Sequence, residues 1–153
     1  MVKSFQGVRV VETKKNEAAL TVGACMSTKL ITFRPEDPVL KVVEVFAQKK
    51  ISGAPVVDDA GKLIGMISEG DCLQEVIRGK YSNTPQYPST VENYMTREVR
   101  TLQQDMSLFE AAQAFRVEKV RRFPVLSASG QLVGQISISD VIRVFARLQA
   151  TTW

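Results

Sequence analysis

"ISGAPVVDDAGKLIGMISEGD", from Ile51 to Asp71, decides the fold, because the chain repeats its pattern as "VRRFPVLSASGQLVGQISISD" from Val120 to Asp140. Each copy reads as a buried strand ("APVVD" or "FPVLS"), then a tight turn at Gly61 or Gly130. A second strand ("LIGMIS" or "LVGQIS") follows, and a helix starts at Ser68 or Ser137. The match runs outward without a gap at an offset of sixty-nine residues. Thr21-Val22 falls on Thr90-Val91, Met26 on Met95, Thr32 on Thr101 and Phe46 on Phe115. Two half-units that each bury one face complete a core by docking together, and the seam between such halves is a natural ligand site.

Upstream of each copy, "LITF" (Leu30–Phe33) and "VRTL" (Val99–Leu102) read as short strands. A helix follows, with Val39, Leu40, Val42, Val43 and Phe46 on one stripe. Asp37-Pro38 reads as its N-cap followed by proline at the first helical position. The second copy uses Ser107 with Glu110, a capping-box spelling, and carries Leu108, Phe109, Ala111, Ala112 and Phe115. Downstream, Cys72, Leu73, Val76 and Ile77 on a closing helix match Val141, Ile142, Phe145 and Ala146. Gly65 and Gly134 allow close approach within a strand. The order is β-α-β-β-α, twice, an α+β layout of sheets covered on one face by helices. The expected divisions are an arm at 1–20, repeats at 21–77 and 90–148, a Pro/Ser/Asn-rich linker at 78–89 and a tail at 149–153.

Composition narrows the function. A chain of 153 residues can bury a core without disulfide or metal. Its two cysteines, Cys25 and Cys72, form no close pair and read as small apolar fillers in a reducing compartment. No signal or transit segment is legible and no apolar run approaches twenty residues, so a soluble cytoplasmic protein is expected. Histidine is absent, which removes the commonest general base and metal ligand. No catalytic residue, metal site or catalytic cofactor is expected. Net charge is +4 with both signs dispersed, a mild preference for anionic ligands. Nucleic acid is disfavoured as a partner, because Tyr81, Tyr87 and Trp153 stand away from the basic "KVRR".

The Pro-Val strand, Gly turn, aliphatic-Gly-aliphatic strand and Ser-x-x-Asp together resemble a CBS domain, the module named after cystathionine β-synthase. Two in tandem resemble a Bateman module, and the resemblance covers about residues 20–148. It implies two repeats packed with pseudo-twofold symmetry, with clefts that often bind AMP, ADP or ATP, and sometimes S-adenosylmethionine or dinucleotides. It also implies a regulatory role toward an enzyme, channel or transporter, and dimerisation through helices.

Carried over position by position, the resemblance puts the ribose-binding carboxylate on Asp71 and Asp140, with its hydroxyl on Ser68 and Ser137. A carboxylate accepts from both ribose hydroxyls at once, and a helix N-terminus beside it offers N–H groups to phosphate. Thr32 and Thr101 are the strand-start threonines near the ligand. Ser52, Gly53, Ala54 and Pro55, or Arg121, Arg122, Phe123 and Pro124, edge the adenine. Arg121-Arg122 takes a place where nucleotide-binding relatives set a basic residue against phosphate, a geometry guanidinium forks suit. Ser52-Gly53 carries no charge there, and the family's acidic residue stands at Asp58 but becomes Ser127. Unequal sites are expected, and the residues leave open which cleft receives the arginines.

Ser-x-x-Asp at a helix start is also an ordinary cap, contributing about 0.5–2 kcal/mol as pure structure. Capping and binding coexist if the serine caps while the carboxylate faces the ligand. The leading functional reading is a non-catalytic adenylate sensor that signals to a separate effector protein. The alternative is a ligand-independent dimeric scaffold, supported by the closing helix, where Val141, Ile142, Val144, Phe145 and Leu148 cover more than one face.

Overall fold

The computed structural model describes residues 20–81 and 89–150. The arm up to residue 19, linker residues 82–88 (Tyr87 among them) and tail residues 151–153 lie outside the described residues. In chain order the first elements are α1 (Val22–Cys25), α2 (Val39–Lys49), β1 (Gly53–Val57), β2 (Leu63–Ser68) and α3 (Glu69–Tyr81). After a 3-10 turn at Val91–Asn93 come β3 (Leu102–Gln103), α4 (Leu108–Glu118), β4 (Arg122–Leu126), β5 (Leu132–Ser137) and α5 (Ile138–Ala150). The fold is α+β, as the repeated pattern predicts.

These elements form two compact units, one continuous (Leu30–Val99) and one split between Met1–Lys29 and Arg100–Trp153. The unit boundaries do not follow the sequence repeats. The Thr-Val…Met segment that opens each repeat belongs to the unit built on the other repeat's strands. In the split unit Val22 N–H donates to Met106 O (2.8 Å), and Ser27 and Gln135 exchange backbone bonds of 2.9 and 3.0 Å. In the continuous unit Val91 N–H donates to Asp37 O (2.9 Å), and Met66 and Thr96 exchange bonds of 2.9 and 2.8 Å. Val22 and Val91 are fully buried, each contributing about 1.5–3 kcal/mol of apolar burial. The two strand glycines make this docking possible. A Cβ on Gly65 would lie 2.8 Å from Met95 Sδ and 3.0 Å from Thr96 O, and one on Gly134 would clash with Met26 Sδ.

In the continuous unit β1 and β2 are antiparallel, Gly53 opposite Ser68, and Phe33 makes a parallel bridge to Val56. In the split unit the order is β3-β4-β5, with Leu102 opposite Val125 and Arg122 opposite Ser137. Leu30–Phe33 is therefore a single bridge rather than the expected strand, and the second copy pairs at Leu102–Gln103 rather than along Val99–Leu102. Proline explains both. Phe33 N–H donates to Pro55 O and Val57 N–H to Phe33 O, at 3.0 and 2.9 Å. The next rung toward the N-terminus needs an N–H from Pro55, or from Pro124 in the other unit, and proline has none.

The helices α2 and α4 pack their stripes inward: Val39, Val42 and Phe46 on α2, Leu108, Ala111 and Phe115 on α4. Ser107 and Glu110 form the expected capping box. Asp37 does not cap α2. The N-cap is Pro38, without a side-chain bond, because its extended ψ of 138° keeps it out of the helix. Asp37 instead turns back, accepting from Arg34 N–H at 2.9 Å and Lys41 Nζ at 3.3 Å. Gly61 and Gly130 have φ of 80° and 83°, the left-handed conformation their turns require. Among the described residues no helix is long and apolar enough to cross a membrane.

Candidate ligand site at the Ser-x-x-Asp helix starts

Ser68 ends β2 and Ser137 ends β5, so each Ser-x-x-Asp stands where an inner strand passes into the closing helix. In both units the join is a reciprocal cap. Asp71 Oδ2 accepts from Ser68 N–H (2.8 Å) and Ser68 Oγ (2.9 Å), while Ser68 Oγ accepts from Asp71 N–H (3.2 Å). Asp140 Oδ2 accepts from Ser137 N–H (2.8 Å), and Ser137 Oγ from Asp140 N–H (3.2 Å). The capping role is thus realised in both copies. The second carboxylate oxygens differ. Asp140 Oδ1 receives Arg143 Nη1 at 3.3 Å, whereas Asp71 Oδ1 has no partner among the described residues.

The helix start is tied to the strand beside it. Glu69 N–H donates to Ser52 O (3.0 Å), and Ile138 N–H to Arg121 O (3.1 Å). With Gly53 opposite Ser68 and Arg122 opposite Ser137, the strand-start residues Ser52-Gly53 or Arg121-Arg122 adjoin the aspartate of their own unit. Thr32 and Thr101 precede the residues bridged to Val56 and Val125, on the far side of β1 and β4 from Asp71 and Asp140. Two strand spacings put them about 10 Å across the sheet. Ala54, Pro55, Phe123 and Pro124 are buried. The Ala54 and Phe123 side chains belong to the two cores, and the Phe123 ring lies 4.7 Å from that of Phe115. These two residues can meet a ligand only through their backbone.

Asp58 and Ser127 are occupied by their hairpins. Asp58 Oδ1 accepts from Ala60 and Lys62 N–H at 3.0 and 2.9 Å, and Ser127 Oγ from Gln131 N–H at 3.1 Å. The serine does the aspartate's turn work without its charge. Burial, with Asp71 and Glu69 nearby, pushes the Cys72 thiol up to about 11. Burial and Asp140 also raise the Cys25 thiol. Neither thiol is set up as a nucleophile, which agrees with the filler role. Among the described residues no group of His, Cys, Asp and Glu could hold a metal ion.

A polar cluster in the continuous unit was not anticipated. Buried Glu75 takes both arms of Arg78 (3.0 Å each) and Tyr94 Oη (2.5 Å), and Arg78 Nη2 also reaches Ser89 Oγ (2.5 Å). The signal was present: Glu75 and Tyr94 stand opposite Val144 and Cys25 in the repeat alignment, so the cluster breaks the symmetry.

Comparison with known proteins decides the family. The CBS domain model matches twice, over residues 22–78 and 91–147. The chain belongs to the CBS domain family. Its relatives include inosine-5'-monophosphate dehydrogenase of Mycobacterium tuberculosis, 32% identical over 139 residues, 90% of this chain and 23% of that one. The corresponding enzyme of Aquifex aeolicus is 29% identical over 139 residues, 90% of this chain and 26% of its own. The chain therefore spans about a quarter of the length of these dehydrogenases. Among solved structures, the CBS-pair protein CBSX2 of Arabidopsis thaliana in complex with AMP is 29% identical with a TM-score of 0.73. That match covers 85% of this chain and 98% of CBSX2. The chain is thus a tandem CBS pair, a Bateman module.

Proposed function

We propose that this CBS pair is a non-catalytic regulatory module that binds an adenosine nucleotide (AMP, ADP or ATP) and passes its occupancy to a separate effector protein. The observation that carries the reading is the AMP complex of CBSX2, a relative that this chain matches along nearly its whole length. Asp71 and Asp140 hold the ribose hydroxyls in this reading. Their caps support the role, because a cap that uses one oxygen fixes the carboxylate's direction while leaving acceptor capacity on the other. Ser68 and Ser137 orient the aspartates. Thr32 and Thr101, with the strand starts Ser52–Pro55 and Arg121–Pro124, line the remainder, the buried members through backbone atoms. Signalling follows from a population shift: a ligand that prefers one arrangement of the protein biases it toward that arrangement. The two unpaired cysteines favour a reducing compartment, the cytoplasm.

Thermal unfolding with AMP, ADP, ATP, S-adenosylmethionine and NAD tests the reading. At a hundredfold excess over Kd, linkage supplies about 2.7 kcal/mol. For a chain this size that raises Tm by roughly 5–11 °C. No shift with any of the five contradicts adenosine binding.

A dimeric scaffold is the second reading, supported by apolar side chains left in solvent on the closing helices: Leu73, Val76 and Ile77 on α3, Ile138 and Ile142 on α5. An apolar groove of about 330 Å³ lies between α2 and α3, lined by Val43, Phe46, Cys72, Leu73 and Val76. Self-association through these helices that persists without ligand, in a protein unresponsive to the panel, favours the scaffold.

A further inference from the structure

The two Ser-x-x-Asp sites share a backbone but not a charge. In the split unit Arg121 and Arg122 stand at the strand start, and Arg143 lies one turn into α5 with its Nη1 3.3 Å from Asp140 Oδ1. One guanidinium is thus bonded to the carboxylate, and two further arginines stand on the strand start that adjoins the helix start. In the continuous unit the equivalent places hold Ser52, Gly53 and Gln74, and Glu69 replaces Ile138 as the first residue of the helix. Two carboxylates, Asp71 and Glu69, stand there without an arginine. Lys50 and Lys119, the left-handed residues that close α2 and α4, occupy equivalent places and do not discriminate. Both helix N-termini favour an anion equally, so the difference rests on side chains alone.

We infer that the two sites take different classes of adenosine ligand: phosphorylated adenosine at Asp140, and adenosine without phosphate, neutral or cationic at its 5′ end, at Asp71. This rests on the adenosine reading and adds the charge selection within it. A 5′-phosphate near Asp140 meets guanidinium forks that bond its oxygens in pairs. The same phosphate near Asp71 meets Glu69, a like charge where the other unit has Ile138, and no arginine at the places equivalent to Arg121, Arg122 and Arg143. A thioether or sulfonium at the 5′ position avoids that repulsion, and a sulfonium gains from it. The backbone bonds Glu69 N–H to Ser52 O and Ile138 N–H to Arg121 O join the strand starts that carry the differing residues to the helix starts that carry the aspartates.

Isothermal titration of the full chain with AMP and with 5′-methylthioadenosine tests the partition, since the two ligands share adenosine and differ in 5′ charge. AMP binding is expected to weaken about tenfold or more in Arg121→Gln/Arg122→Gln, the loss of charge-assisted bonds. Methylthioadenosine affinity is expected to change less than twofold. The transplant Ser52→Arg/Glu69→Gln is expected to raise AMP stoichiometry from one to two per chain, a gain that misfolding cannot imitate. Equal weakening of both ligands by the arginine substitutions overturns the inference, as do two equivalent AMP sites in the unsubstituted protein. If neither ligand binds, the adenosine reading fails and takes the partition with it.

Discussion

Asp71 and Asp140 hold their helix starts in place, and ligand binding would be a second task for the same atoms. The two tasks separate by measurement. Removing the carboxylate by Asp140→Ala is expected to lower unliganded stability by about 0.5–2 kcal/mol, the range for losing a cap. In titration calorimetry the same change is expected to cost a nucleoside ligand tenfold or more, because two ribose hydroxyls lose their acceptor at once. Equal losses in the two measurements return the residue to capping alone. Gly65 offers a sharper steric test. Gly65→Ala places a methyl 2.8 Å from Met95 Sδ and 3.0 Å from the Thr96 carbonyl, so the docked segment must shift. A cost of about 1–3 kcal/mol is expected in denaturant unfolding, typical of overpacking. An unchanged midpoint contradicts the close contact.

The α3 cluster shows how one element can be fastened differently in two copies of a fold. Arg78 beside Glu75 holds that carboxyl down to about 2, from an ordinary 4.5, against the opposing effect of burial and with help from Tyr94 and Ser89. A carboxyl depressed in the folded state adds stability above its unfolded pKa and loses it as pH falls through the folded value. Stability from this cluster is therefore complete above about pH 4.5 and disappears between 4.5 and 2. Thermal melts across that window are expected to fall less steeply in Glu75→Gln than in the unsubstituted protein. Identical slopes remove Glu75 from the acid response. Much of the element order was legible because the pattern is written twice, and the turns at Gly61 and Gly130 and the Ser107 cap followed from local chemistry. The shortened strands were not, although the cause is local too: Pro55 and Pro124 lack an N–H on the strand that pairs with Phe33 or Leu102. Thr21–Met26 and Thr90–Met95 were illegible in a stronger sense. Each repeat's opening segment reads the same whichever set of strands it joins, so only long-range hydrogen bonds assign it. The site was partly legible. The aspartates and their caps stood out, while the inward turn of Ala54 and Phe123 depended on strand register.

At the scale of the whole molecule, the likeness to inosine-5'-monophosphate dehydrogenases concerns about a quarter of those enzymes, and in this chain it spans both CBS domains. Leu73, Val76 and Ile77 on α3 and Ile138 and Ile142 on α5 stand exposed, and the scaffold reading assigns self-association to them. Ile142, 62% exposed, can be tested without touching the core. Ile142→Asp is expected to shift a helix-mediated dimer toward monomer in sedimentation velocity, with Tm of the monomer little changed. An unchanged sedimentation coefficient places any dimer contact elsewhere. A diffraction experiment on crystals grown with AMP reaches the ligand itself. Ribose hydroxyls within hydrogen-bond distance of the Asp71 or Asp140 carboxylate are the predicted result; AMP bound away from both carboxylates, or crystals that take up none at millimolar ligand, contradict it.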